Sequence, residues 1–257
     1  MTDRSHTCFQ EWIKLQQSDL DELVQSLNPQ SGDERTGEND SKYSELSAKT
    51  VSHFEDYMES RTKLAREDIS HFFAPSWCTT LENSLLWIAG CRPSMFIRLI
   101  YALCGCEIER SISQYLQSTS SGLLFDLSAQ QLSSINTLHL KTVKEEEKLT
   151  SLLASLQEDI ADQPLAAIAR EASQIGETSD DVEKALDDHE HAMANILEEA
   201  DKMRLKTVKE LLNNILTPKQ GVEFLAASKK LHLSLHEWGK KRDQRHGRSQ
   251  DVRKASE

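Results

Sequence analysis

Glycine and proline are scarce, nine and five residues in a chain of 257, against average usage of about 7% and 5%. All-β sandwiches and α/β folds place glycine in turns every 8–12 residues or so, so this supply excludes them and leaves helix as the default. Also missing is any apolar run of the roughly 18 residues a membrane span requires. The N-terminus, Met1-Thr-Asp-Arg-Ser-His6, has no basic stretch followed by an apolar one, so no secretory signal is expected. The five cysteines, Cys8, Cys78, Cys91, Cys104 and Cys106, read as reduced thiols of the cytosol or nucleus. Cys104-Gly-Cys106 lacks the paired CxxC spacing of a zinc site. No Gly-rich phosphate loop, nucleophile elbow, HExxH helix or DxD-type carboxylate site occurs. A non-enzymatic protein is expected.

What the chain does contain is charge and helical periodicity. Hydrophobic residues make up 38% and charged residues 28%, with a formal net charge of −12. From Glu145 to Ala200 there are 16 acids and 3 bases, a local net of −13, which argues against a nucleic-acid groove there. From Ser228 to Glu257 there are 9 bases and 4 acids, a net of +5. That basic end reads either as an import signal or electrostatic handle, or as a frayed, solvated terminus.

Phe9, Trp12, Ile13, Gln16, Leu20, Leu23, Val24 and Leu27 mark one face of a first helix ending at Asn28-Pro29. Residues 30–41 carry no large apolar group and read as a flexible linker. A second helix is expected from about Lys42 to Ile69, a short apolar one from Leu81 to Ala89, and another from Ser94 to Leu103, with 72–104 lying in the core. A loop over 118–126 precedes the Ser128-Ala-Gln-Gln131 capping box, which opens a helix to about Ile160. Pro164 opens a short helix, Ser179 a long one to about Leu216, and the Thr217-Pro-Lys-Gln220 box the last, to about Arg242. The fold class is therefore all-α, a bundle of long antiparallel amphipathic helices. It has no zipper, because neither a regular heptad nor a basic region ahead of one is present. The expected organisation is a helix over 1–29, the linker over 30–41, a helical domain over 42–242 and a basic disordered tail over 243–257.

Two constellations carry possible chemistry. His232 and His236 lie one turn apart in Leu231-His-Leu-Ser-Leu-His-Glu-Trp238, so both rings project from one helix face. That spacing suits ligation of a transition metal or haem iron, or two core histidines hydrogen-bonded to backbone. Rings on one side cannot take opposite faces of a single porphyrin, so at most one is a proximal ligand. Leu231, Leu233, Leu235 and Trp238 supply apolar surface, and Lys229, Lys230, Lys240 and Lys241 supply cations for propionates. The second constellation is Phe9, Glu11 and Trp12. It reads as aromatic anchors around a carboxylate for docking to a partner, or as the start of a buried stripe. Glu145-Glu-Glu147 reads as a solvated face, and His139, His189 and His191 as ordinary helix-face residues.

Ala74-Pro-Ser-Trp77, Leu81-Glu-Asn, Trp87-Ile-Ala-Gly-Cys-Arg92-Pro93-Ser94, Asp126-Leu-Ser-Ala-Gln-Gln-Leu132, Glu199-Ala-Asp-Lys-Met-Arg204, Leu216-Thr-Pro-Lys-Gln220 and Phe224-Leu225 follow in order. Together they resemble the plant Delay of Germination domain, which also forms the C-terminal part of the TGA-type leucine-zipper transcription factors. Phe96 to Gly105, Ser155 to Asp159 and Lys229 to Gly239 are similar to the Delay of Germination branch rather than to the TGA factors. The resemblance runs from about Cys8 to Gly239. It implies a regulator of seed dormancy and abscisic-acid signalling in the nucleus and cytoplasm, without direct contact to nucleic acid. It further implies binding of clade A type 2C protein phosphatases through Phe9, Glu11 and Trp12, and binding of haem through His232 and His236. The sequence departs from the family's docking segment at Thr7 and Phe9. A transcriptional cofactor that joins TGA-type zipper proteins and a sensor of another apolar ligand are the alternatives, and self-association is a further expectation.

Overall fold

The computed structural model describes residues 2–28, 36–117, 127–162, 164–172, 174–176 and 179–248. Its helices are α1 (Thr2–Leu27), α2 (Thr36–Glu67), α3 (Ser70–Phe73), α4 (Thr80–Leu85), α5 (Ser94–Gln117), α6 (Ala129–Glu158), α7 (Leu165–Glu171), α8 (Asp180–Glu210) and α9 (Pro218–Arg245). Among the described residues there is no strand, only an isolated bridge between Trp87 and Gly90. No described helix is long and apolar enough to cross a membrane. The all-α bundle expected from periodicity is the fold observed.

Both anticipated capping boxes start their helices. Ser128 Oγ accepts from the Gln131 amide while the Gln131 side chain accepts from Ser128 N, and Thr217 and Gln220 do the same for α9. The two boxes also touch: Gln131 Nε2 donates to Gln220 Oε1 at 2.7 Å and to the Ile215 carbonyl at 2.8 Å. That carbonyl belongs to the π-helical segment Leu211–Ile215 that ends α8. Helices α6 and α8 pack against each other. Leu149, Leu153 and Leu156 at the far end of α6 share a cluster with Met193 and Leu197 early in α8. Ile135 near the start of α6 shares the other cluster with Val208 late in α8 and with Leu211 just after it. That pairing is antiparallel. Helix α9 lies along α1 and α2 and also meets α4 and α5, so it is the shared wall of the bundle.

Several boundaries differ from the sequence reading. Helix α2 begins at Thr36, so the last six residues of the expected 30–41 linker are its first turns; 30–35 lie outside the described residues. Helix α5 runs on to Gln117, and the expected 118–126 loop is likewise outside the described residues. The last helix reaches Arg245, so the expected tail over 243–257 starts inside it; 249–257 are not described.

The expected helix over Leu81–Ala89 stops at Leu85, because a buried cluster of three charged side chains captures the carbonyls that follow. Arg204, 1% exposed, donates to the carbonyls of Trp87 at 2.6 Å, Ile88 at 2.9 Å and Cys91 at 2.7 Å. Arg61 donates to the Ala89 carbonyl at 2.8 Å. Asp201 joins the two guanidinium groups, 3.0 Å from Arg61 Nε and 2.5 Å from Arg204 Nη1. Ile88 and Ala89 adopt left-handed φ values of 45° and 54°, a strain of about 1–2 kcal/mol each that these hydrogen bonds offset. A Cβ on Gly90 would lie 2.8 Å from Arg204 Cζ, so glycine leaves room for the clamp.

Glu146 corrects another expectation. Rather than part of a solvated face, it is 1% exposed. It accepts from Ser94 N at 2.6 Å, Ser94 Oγ at 3.0 Å and Arg92 Nη1 at 3.4 Å. A carboxylate there complements the positive start of α5 and ties α6 to it.

Candidate functional site

The C-terminal half of α9 presents a polar face to α4. Thr79 caps α4, and Glu82 accepts from Thr79 N at 2.8 Å and from Thr79 Oγ1 at 2.7 Å. Fixed in this way, Glu82 also accepts from His236 Nδ1, with its two oxygens at 3.0 and 3.1 Å. Burial works against the Glu82 charge, but hydrogen bonds from His236 and Thr79 outweigh it and hold the carboxyl below its usual value. One turn on, a Cβ at Gly239 would lie 2.1 Å from Thr79 Oγ1, so only glycine permits this approach of α9 to α4. Asp243 completes the face by accepting from Thr80 N at 2.9 Å.

The two histidines have different environments. His236 donates from Nδ1 to a carboxylate, which leaves Nε2 as the lone-pair nitrogen, the arrangement carried by metal-ligating histidines. Its side chain remains 14% exposed, and the Phe9 ring meets it edge-on at 5.7 Å. His232 instead faces α1, where Gln16 Nε2 lies 2.7 Å from its Nδ1. With the amide nitrogen turned to the ring, Nδ1 accepts and Nε2 carries the proton. Burial lowers the His232 proton affinity, against the opposing pull of Glu82, and keeps the ring neutral.

These facts bear directly on haem. The donor chemistry at His236 fits an iron ligand, and the ring at His232 fits a neighbouring partner. His232, but not His236, lines a cavity of about 240 Å³, below the roughly 300–1,000 Å³ of sites for drug-sized ligands; a macrocycle does not fit inside it. Apolar surface outside is available at Leu231 and Trp238, which are exposed by 37% and 53%. Among the expected propionate partners, Lys229 is withdrawn. It is buried, lies 2.8 Å from Asp19, and sits 5.1 Å above the Trp12 ring. Lys240 is exposed and bonded to Glu237 at 2.9 Å.

The N-terminal constellation divides between inside and outside. Phe9 and Trp12 are only 8% and 7% exposed, and Trp12 stacks on Tyr57 at 4.4 Å and on Phe54 at 5.9 Å. Both aromatic rings are therefore packing residues of the bundle, and α1 is not a free docking segment. Glu11 faces solvent. With Arg4, Thr7 and Lys63 it borders a shallow groove between α1 and α2.

The sequence reading did not single out Asp19, Glu82, Arg61, Asp201 or Arg204. A signal existed for Glu82, since Thr79-Thr-Leu-Glu82 has the same capping-box spacing as the two boxes recognised. Asp201 and Arg204 have the i,i+3 spacing of a pair along one helix, but nothing local marks that pair as buried; Asp19 and Arg61 meet their partners across helices, which leaves no spacing to read.

The family model described as "DOG1: Seed dormancy control" matches residues 19–102. The chain is 43% identical over 244 residues to Protein DOG1-like 3 of Arabidopsis thaliana, covering 92% of this chain and 84% of that protein. It is 42% identical over 259 residues to Protein DOG1-like 1 of the same plant, covering 93% and 89%. A more distant likeness, 25% over 224 residues, joins it to Transcription factor TGA2.3 of Oryza sativa subsp. japonica, covering 84% of this chain and 58% of the other. With identity at this level running along nearly its whole length, the chain belongs to the DOG1 family.

Proposed function

We propose that this protein acts in seed dormancy control and abscisic-acid signalling by binding rather than by catalysis, holding clade A type 2C protein phosphatases and a haem, in the nucleus and cytoplasm. The observation that carries the reading is the 42–43% identity with two DOG1-like proteins over more than nine-tenths of the chain. Membership of a family described by seed dormancy control supports the biological setting. The Glu82–His236 pairing supports the haem role, with His236 as iron ligand through Nε2 and His232 as its neighbour. Glu82 orients the His236 ring by accepting from its Nδ1. When bound, haem supplies a redox-active iron. For the phosphatase, Glu11 and the exposed side of α1 form the contact, while Phe9 and Trp12 hold that helix in place.

A pull-down from seed extract, with optical spectra of the recovered protein, tests this reading. The expected result is a type 2C phosphatase in the eluate and a Soret band that His236→Ala abolishes and His232→Ala only shifts. A band unchanged in both variants and in the double variant would remove haem from this site. Recovery of TGA-type zipper proteins without phosphatase would favour the alternative of a non-DNA-binding transcriptional cofactor, which the likeness to TGA2.3 supports.

A further inference from the structure

The groove between α1 and α2 runs beside Glu11, the one residue of the expected docking set that faces solvent. It encloses about 410 Å³. Cys8 of α1 and Leu64 of α2, both part-buried, supply its apolar surface, and Arg4, Glu11 and Lys63 supply its charges. The two cations are matched within the chain: Arg4 lies 2.7 Å from Glu67, and Lys63 lies 2.7 Å from Glu59. Glu11 joins no ion pair and accepts no hydrogen bond among the described residues. Its charge is nonetheless felt inside the groove. Burial first, and the Glu11 carboxylate second, push the Cys8 thiol above its ordinary range, against the opposing pull of Arg61.

This charge balance selects the occupant. An acidic side chain meets the Glu11 carboxylate and finds both cations already paired. A cation meets the one unmatched carboxylate, and a long aliphatic stem covers the apolar surface while its head stays in water. Of the two long cations, guanidinium fits better. It is more weakly hydrated than ammonium, and its planar fork bonds a carboxylate through two parallel N–H groups.

We propose that this groove takes an arginine side chain of the partner protein, its guanidinium paired with Glu11 and its methylene stem laid against Cys8 and Leu64. The inference rests on the reading of α1 as the phosphatase contact, and it extends that contact onto α2.

Alkylation of Cys8 in the full chain reports occupancy of the groove. Iodoacetamide is uncharged, and mass spectrometry of the digested protein follows Cys8, with Cys104 of α5 as the control for unfolding. N-acetylarginine amide is expected to slow Cys8 alkylation saturably, by about threefold or more. N-acetylcitrulline amide, similar in shape but uncharged, should need about tenfold more to match it, since charge-assisted bonds are roughly twice as strong as neutral ones. N-acetylglutamate amide should give no protection, and Glu11→Gln should abolish that of the arginine probe without changing the rate at Cys104. Absence of protection by the arginine probe, equal protection by the citrulline probe, or protection that survives Glu11→Gln each overturns the proposal. A second arm separates it from the phosphatase reading. A phosphatase that binds the chain yet leaves Cys8 reacting at the free rate overturns the groove as its contact, while the phosphatase reading stands. If no phosphatase binds, that reading falls, and the arginine probe alone decides the groove.

Discussion

The Lys229 ammonium of α9 lies 2.8 Å from the Asp19 carboxylate of α1, with the two side chains only 7% and 3% exposed. His53 of α2 donates to the other Asp19 oxygen at 2.8 Å, so one carboxylate joins three helices. Burial lowers the Lys229 proton affinity, and the hydrogen bond and charge of Asp19 work to restore it.

Removing that carboxylate isolates a buried cation. Asp19→Asn is expected to destabilise the fold by about 3–5 kcal/mol, the usual effect of breaking a buried pair on one side. Replacing both partners with apolar residues of similar volume, Asp19→Leu with Lys229→Met, is expected to recover much of the loss. Urea unfolding of the two variants beside wild type measures it. A double variant no better than Asp19→Asn would mean that the pair has no such desolvation cost.

Acid is expected to weaken the fold through His232. Its folded pKa is lowered by burial from an ordinary 6.5. Between that lowered value and 6.5 the unfolded chain binds more protons than the folded one. Stability therefore falls as pH drops below about 6.5 and keeps falling down to the folded value. Melting curves between pH 7 and pH 5 are expected to show this decline, and His232→Gln to flatten it. An unchanged slope in the variant would place the titrating group elsewhere.

Helix starts were the most legible feature of the sequence, because a capping box is a local contact between residues three apart, as at Ser128–Gln131 and Thr217–Gln220. The antiparallel pairing of α6 and α8 was legible too, since both carry a long apolar stripe. Interior polar contacts were not. Glu146 sits among acids in sequence and is buried only because the amide of Ser94, 52 residues away, arrives to meet it. The left-handed turn at Ile88 and Ala89 has no glycine or asparagine to announce it, because its cause is Arg204, more than a hundred residues on. At the candidate site, spacing placed His232 and His236 on one helix. Only the tertiary contacts separate them, one toward Gln16 and the other toward Glu82.

Arg204 should be among the least replaceable residues. Arg204→Met leaves the carbonyls of Trp87, Ile88 and Cys91 without this donor. It also leaves Asp201 with Arg61 alone. A loss of about 3–5 kcal/mol is expected. Arg204→Lys should rescue little, because one ammonium cannot reproduce a planar fork serving several acceptors. Denaturant midpoints decide the matter, and a lysine variant as stable as wild type would count against the clamp.

The side chains expected to dock a phosphatase separate into two kinds of effect. Phe9→Ala and Trp12→Ala each empty a packed position, and Trp12 also loses its stacking on Tyr57 and the cation of Lys229 above it. Each is expected to lower stability by about 3–5 kcal/mol, so weakened binding in these variants tracks loss of fold. Glu11 is solvent-exposed, and surface substitutions of this kind usually change stability by within about 0.5 kcal/mol. Glu11→Lys is therefore expected to melt with wild type, yet to bind the phosphatase at least several-fold more weakly, since a reversed charge at a contact repels what the carboxylate attracted. Binding measured on material of matched melting temperature separates the two. If Glu11→Lys binds as wild type does, and Phe9→Ala and Trp12→Ala lose binding only in proportion to unfolding, the exposed side of α1 is not the docking face.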